Sequence, residues 1–253
     1  MKHKFKILLI GDSCVDEYYI GNCDRLSPEA PVPIIKIIDH YSLPGMAGNV
    51  RKNFIALGVD PEYITNIESI VKTRYIDQKS GQQLIRVDTE PYVQEWNGVT
   101  SLKLFEYDAI VISDYNKGFI NYGQIEIILK ESQVPVFIDT KKTDLARMMG
   151  AFVKINSKEY SLAKSYCENL IVTLGGQGAR YQGKIYPAPR VEVSDVCGAG
   201  DTFLAALTYQ YLTTKKIETA IEFANKAGSI TVQHRGNYAP TLQEIFETKR
   251  TLK

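Results

Sequence analysis

Asp195-Val196-Cys197-Gly198-Ala199-Gly200-Asp201-Thr202 is the stretch on which the reading of this chain turns. Gly198 and Gly200 carry no Cβ, so the backbone can turn tightly there and leave its N–H groups bare toward a ligand. From Asp201 the sequence becomes helical, because Phe203, Leu204, Leu207 and Tyr211 recur at helix spacing with Ala205 and Ala206 between them. The Gly-Ala-Gly turn would then cap a helix N-terminus, where unpaired amides attract anions. Asp201 falls on the first helical turn, beside that anion. A carboxylate so placed can take the proton of a hydroxyl that attacks phosphorus. The same residues also read as a plain strand-to-helix turn with Asp201 as its N-terminal cap.

Outward from this turn, the chain repeats a strand-helix rhythm. Apolar β-type runs at 109–112, 134–138, 152–155 and 170–174 are separated by helical patterns around 124–130, 145–149 and 157–166, and a further helix covers 221–228. A first strand is expected over 4–10, whose unbroken Ile7-Leu8-Leu9-Ile10 suits a sheet covered on both faces. This predicts one α/β domain over 1–253, a mostly parallel sheet flanked by helices. Residues 17–41 depart from the rhythm: two β-type runs broken by Pro28, Pro31 and Pro33 predict strands standing out from the main sheet as a lid. A second lid segment is expected at 73–89, a hairpin turning at Lys79-Ser80-Gly81. Exposed lid edges are liable to pair, so a homodimer through them is expected.

Polar residues gather where strands end. Asp12 and Asp16 follow the first, Lys141 and Lys142 a central one, and Asn156-Ser157-Lys158-Glu159 the next. Asn156 and Glu159 have the spacing of a capping box and are also hard oxygen donors suited to Mg²⁺. Thr173-Leu174-Gly175-Gly176-Gln177-Gly178 lacks the Lys-Ser/Thr of a Walker loop and follows a late strand, which excludes both a P-loop and a first-strand dinucleotide site.

Composition removes other classes. At 253 residues the chain can bury a sizeable core, and 30 basic against 29 acidic residues leave a net charge of +1, with no general attraction to nucleic acid or anionic membrane. The four cysteines, Cys14, Cys23, Cys167 and Cys197, lack metal-ligand spacing and point to reduced thiols in a cytoplasm. The apolar run after the basic start is too short for a signal peptide or membrane span.

The run from Asp195 to Phe203 closely resembles the signature of the ribokinase-like (PfkB) sugar kinases, usually Asp-Thr-x-Gly-Ala-Gly-Asp-x-Phe, with Val196 where threonine is common. Arg25-Leu26-Ser27-Pro28-Glu29-Ala30-Pro31-Val32-Pro33 and Gln82-Gln83-Leu84-Ile85-Arg86-Val87-Asp88 look like lid segments of the heptose-7-phosphate kinases of that family. The resemblance implies ATP and Mg²⁺ as cofactors, Gly198, Ala199 and Gly200 as an anion hole and Asp201 as catalytic base. It implies sugar binding by Asp16, then Asp12, and by the turn Gly45 to Asn49, where Met46 replaces a family glycine and puts bulk near the substrate. Arg86 and Lys141 would hold the sugar's existing phosphate. Asn156 and Glu159 would organise Mg²⁺, and Thr173, Gly175, Gly176, Gly178, Asn225 and Gly228 would enclose the nucleotide. Asp195 with residues 232–236 would close a monovalent-cation site for an ion such as K⁺. Relative to the family the chain is abridged near 59–72, which should narrow one sheet edge. Bifunctional members add a nucleotidyltransferase domain after the kinase; with the sequence ending at Lys253, no nucleotide-sugar synthesis is expected. Two other functions fit these residues: a kinase of the same fold for another sugar or nucleoside, and a non-catalytic sugar- or nucleotide-binding protein.

Overall fold

A computed structural model describes residues 5–248; residue 4, included in the expected first strand, lies outside them. The first strand, β1 (Ile7–Gly11), is wholly buried. Its side chains alternate between two cores, because successive residues of a strand point to opposite faces. Ile7 and Leu9 join one apolar cluster with Phe54, Leu204 and Ile221, while Leu8 and Ile10 join another with Ile125, Ile128 and Ile138. Two cores on one sheet are what an unbroken apolar run requires.

From the carboxyl end of β1 the chain passes through Asp12 into β2 (Ser13–Leu26), which pairs antiparallel with β3 (Pro33–Met46) as a long ribbon. Helix α1 (Ala47–Ala56) follows, then the short β4 (Glu62–Thr65). β5 (Val71–Asp77) and β6 (Gln83–Thr89) form the expected hairpin, and β5 lies parallel to β2, giving a four-stranded sheet in the order β3-β2-β5-β6.

The remaining strands are β7 (Ala109–Asp114), β8 (Val136–Thr140), β9 (Phe152–Asn156), β10 (Leu170–Thr173), β11 (Ala179–Tyr181) and β12 (Lys184–Tyr186). The main sheet has the order β12-β11-β10-β9-β8-β7-β1-β4, parallel from β4 to β10 and antiparallel over its last two strands. Residues 59–72, where an abridgement was expected, include β4, an edge strand of the main sheet far from β10.

Helices α2 (Tyr122–Glu131) and α3 (Ser157–Leu162) follow β7 and β9; α4 (Ala199–Thr214), α5 (Ile217–Thr231) and α6 (Leu242–Glu247) complete the described chain. Two expected helices are shorter than their patterns suggested. Residues 145–148 make only a 3-10 turn, and α3 stops at Leu162, where Ala163 leaves helical geometry. No helix among the described residues is long and apolar enough to cross a membrane.

Candidate active site

Gly198 stands at the N-cap of α4 with φ +75°, and a Cβ there would lie 2.7 Å from the Asn49 amide nitrogen. Only glycine fits that position without strain. Asp201, in the first turn of α4, is 4% exposed. Its Oδ2 accepts a hydrogen bond from Asn49 Nδ2 at 2.8 Å, and its Oδ1 accepts one from the Tyr115 hydroxyl at 2.8 Å. Burial pushes the Asp201 carboxyl up to about 6; the Asn49 hydrogen bond opposes it, the nearby Asp139 charge reinforces it, and Tyr115 and Lys154 oppose it. A carboxylate with that value is mostly ionised at neutral pH and a stronger base than an exposed aspartate. The same burial drives the Tyr115 hydroxyl well above its ordinary value, so it stays a donor.

A cavity of about 460 Å³ opens beside this turn, lined by Gly175, Gly176, Gly178, Ala199, Gly200 and Gly228 among others. Thr173 and Asn225 also face it. Asn225 is anchored as well: its Nδ2 donates to Tyr186 O at 2.8 Å, tying α5 to β12. Gly178, at φ +97°, lies so close to the 186–188 backbone that a Cβ would meet Tyr186 O at 2.0 Å. A hollow of about 520 Å³ between α1 and the root of the β2–β3 ribbon is lined by Gly48 of the 45–49 turn, together with Pro44, Lys52 and Tyr63.

Asn156 and Glu159 do form the capping box: Asn156 Oδ1 accepts from Glu159 N at 2.9 Å, and Asn156 N donates to Glu159 Oε2 at 2.7 Å. The other Glu159 oxygen pairs with Lys141. One strand over, Asp139 Oδ2 accepts from Lys154 Nζ at 2.7 Å, while its Oδ1 is buried with no partner among the described residues. Among those residues no cluster of three acidic, His or Cys side chains could hold a metal by itself. One or two carboxylates completed by phosphate oxygens and water is the usual Mg²⁺ arrangement, and Glu159 with the unpartnered Asp139 oxygen fits it. Asp195 is occupied differently, accepting from Cys197 N at 3.0 Å and Gly236 N at 2.9 Å. Burial raises its carboxyl, but these amides and the Arg74 charge hold it below the ordinary value.

On β2 of the small sheet, Asp16 is buried and bonded to Arg74 Nη1 at 2.6 Å and Asn237 Nδ2 at 2.9 Å. Gly45 packs against it so closely that a Cβ would lie 2.3 Å from Asp16 Oδ2. Asn49 is fully buried and its amide is turned to Asp201, which makes it a positioning residue rather than an open sugar ligand. Asp12 requires correction. It is 0% exposed, and its carboxylate accepts from the amides of Tyr115, Lys117 and Phe119. It anchors the loop after β7 and has no face left for a sugar. Met46 is corrected too. At φ +54° it sits in backbone geometry that favours glycine, and its side chain is buried in the apolar cluster with Cys14 and Ile70 instead of standing near a substrate. Arg86 clamps its neighbour Asp88 with two bonds, at 2.7 and 2.9 Å, on the open side of the small sheet.

Tyr115, Arg74, Asn237 and the Asp139–Lys154 pair were not identified from the sequence as site residues. Tyr115 directly follows β7, and that position at a strand's carboxyl end was its only signal. Asn237 had none.

The sequence profile of "pfkB family carbohydrate kinase" matches residues 121–244. The "Bifunctional protein HldE" of Nitratiruptor sp. is 32% identical over an alignment covering 99% of this chain, which spans 66% of that protein's length. Among solved structures, phosphofructokinase-2 of Escherichia coli in complex with potassium superposes with a TM-score of 0.74 at 15% identity, covering 96% of this chain and 97% of that one. Ribokinase from Thermotoga maritima gives 0.71 at 18% identity, with 96% and 98% covered.

Proposed function

We propose, from the premise that this chain belongs to the pfkB family of carbohydrate kinases, that it transfers the γ-phosphoryl group of ATP to a hydroxyl of a heptose 7-phosphate. The observation that carries the reading is Asp201, oriented by Asn49 and Tyr115 one residue past the bare Gly198–Gly200 turn and beside the nucleotide-sized cavity. In the transfer, the sugar hydroxyl oxygen bonds to the γ-phosphorus and its proton passes to Asp201, as the bond from phosphorus to the β–γ bridging oxygen breaks and ADP leaves. Each Asp201 oxygen keeps a second lone pair beside the bond it already accepts, so the proton has a place to go. The 198–200 amides and the positive end of α4, a 16-residue helix, stabilise charge growing on the transferred group. Mg²⁺, when bound by Glu159 and Asp139, supplies further neutralisation of the phosphates.

The four-stranded sheet is read as the lid, with segments 17–41 and 73–89 carrying the sugar-side wall. Its outer surface exposes Ile37, Ile38, Ile85 and Val87, which supports a homodimer formed by these strands in a cytoplasmic enzyme. Sedimentation showing only a monomer at micromolar concentration would remove the dimer. A K⁺ ion beside Asp195 is tested by replacing potassium with tetramethylammonium in the assay.

The deciding experiment is ADP release measured across a panel of sugars and sugar phosphates. Turnover confined to phosphorylated heptoses supports the reading; turnover of a free sugar or nucleoside moves the protein to another kinase of the same fold. Silence across the panel with retained ATP binding supports a non-catalytic binding protein.

A further inference from the structure

Six cations on or just after the strands of the two sheets are each matched to a carboxylate. Arg74 holds Asp16, Arg86 holds Asp88, Lys117 holds Glu90, Lys141 holds Glu159, Lys142 holds Asp114 and Lys154 holds Asp139. Lys72 is not matched in this way. It is half-buried on β5, and its ammonium has no carboxylate partner among the described residues.

The strand register explains why. Lys72 stands opposite Asp16 on β2 and opposite Asp88 on β6, so both acids within cross-strand reach lie beside it. Each is already taken by an arginine. Lys72 shares a strand face with Arg74, whose side chain reaches Asp16 at the cleft, so it points to the same side. There its Nζ lies 5.9 Å from the centre of the Tyr115 ring, and Lys141 Nζ lies 5.2 Å from that centre. The hydroxyl of the same ring is bonded to Asp201. An ammonium is a compact charge with three donors that pays a desolvation cost when withdrawn from water without an anion.

We infer that Lys72 seats the phosphate that the sugar already carries, so that this anion supplies the partner that Asp16 and Asp88, each held by an arginine, do not, while the acceptor hydroxyl reaches Asp201 across the face of Tyr115. The inference rests on the kinase reading and names its phosphate ligand, in place of Arg86, whose charge is already paired with Asp88 through Nε and Nη2. A lysine suits this role as a point charge for phosphate.

The test is calorimetric titration of the protein with inorganic phosphate, with a non-hydrolysable ATP analogue bound so that the nucleotide's own phosphate positions are filled. Lys72→Met should weaken phosphate binding at least tenfold, Lys72→Arg should retain most of it, and Lys79→Met, an equal charge loss at the exposed hairpin tip, should change it less than twofold. Lys72→Gln gives the same comparison should Lys72→Met not fold. In turnover assays, Lys72→Met should raise KM for heptose 7-phosphate at least tenfold while changing KM for ATP less than twofold. No phosphate binding by the wild type under these conditions, or equal weakening by the variants at 72 and 79, overturns the assignment. If no sugar releases ADP, the kinase reading fails separately, and the titration still decides Lys72.

Discussion

The two walls of the cleft use the same chemistry under opposite conditions. At the carboxyl ends of the main-sheet strands, ion pairs are dry: the Lys154–Asp139 side chains are 4% and 6% exposed, and those of Lys142–Asp114 are 6% and 0% exposed. On the small sheet, Arg86–Asp88 stands in water at 47% and 30%, although Arg86 faces Arg74 directly across the β5–β6 ladder. Arg74 is the residue through which the small sheet enters the dry regime, since its pair with Asp16 is nearly buried. The contrast teaches that identical pairs differ in worth according to what is left when one partner is removed. A buried survivor keeps an uncompensated charge, whereas an exposed one is simply rehydrated.

The largest effect is expected at Asp201, a buried carboxylate of the main-sheet side. Asp201→Asn should lower kcat roughly 10²–10⁴-fold, equivalent to about 3–5 kcal/mol of transition-state stabilisation. Rates near wild type in steady-state assays would exclude Asp201 as the base. The same variant should be more stable than wild type at neutral pH. The folded-state value of Asp201 is raised from 3.8 to about 6, so folding is favoured below the unfolded value, and that advantage is lost as pH rises through the folded one. Removing the ionisable group should therefore restore up to about 3 kcal/mol above pH 6 and nothing near pH 3.5, as read from Tm at the two pH values.

Next comes the pair of facing arginines. Arg74→Ala leaves Asp16 buried without its charge partner and should cost about 3–5 kcal/mol of stability. Arg86→Ala should cost less than about 0.5 kcal/mol. Urea unfolding of both variants checks this, and similar losses would break the contrast between the walls.

A smaller effect is expected in the pH profile. The acid limb of kcat/KM should follow the Asp201 value of about 6. Tyr115→Phe removes a hydrogen bond that holds that value down, so the limb should move to higher pH. An unmoved limb would separate Tyr115 from the base. Smallest of all, Arg86→Ala should raise KM for a phosphorylated sugar only a few-fold, well short of the loss expected at Lys72.

Much of the large-sheet wall was legible because its signals are local. The Gly-Ala-Gly-Asp turn, the Asn156–Glu159 capping box and the glycines after β10 each lie within a few residues, where missing Cβ atoms and side chain-to-backbone bonds set the geometry. The small-sheet wall was legible only as strands. Its reading chose Arg86, the exposed member of a facing pair, because alternation does not tell which of two arginines meets a buried acid. Asp12 failed for a related reason: a carboxylate after a strand looks alike in sequence whether it faces a ligand or the amides of a loop more than a hundred positions away.

The sequence by itself determined a two-sided parallel sheet and the glycine turn that opens α4, since strand alternation, helix periodicity and glycine geometry act between neighbours. Only the tertiary structure decided what surrounds the carboxylates of Asp201 and Asp16. Tyr115 reaches Asp201 across 86 positions, Asn49 across 152, and Asn237 reaches Asp16 across 221. Such bonds acquire their strength when folding removes water from both partners, and no pattern of adjacent residues encodes which distant groups will be enclosed together.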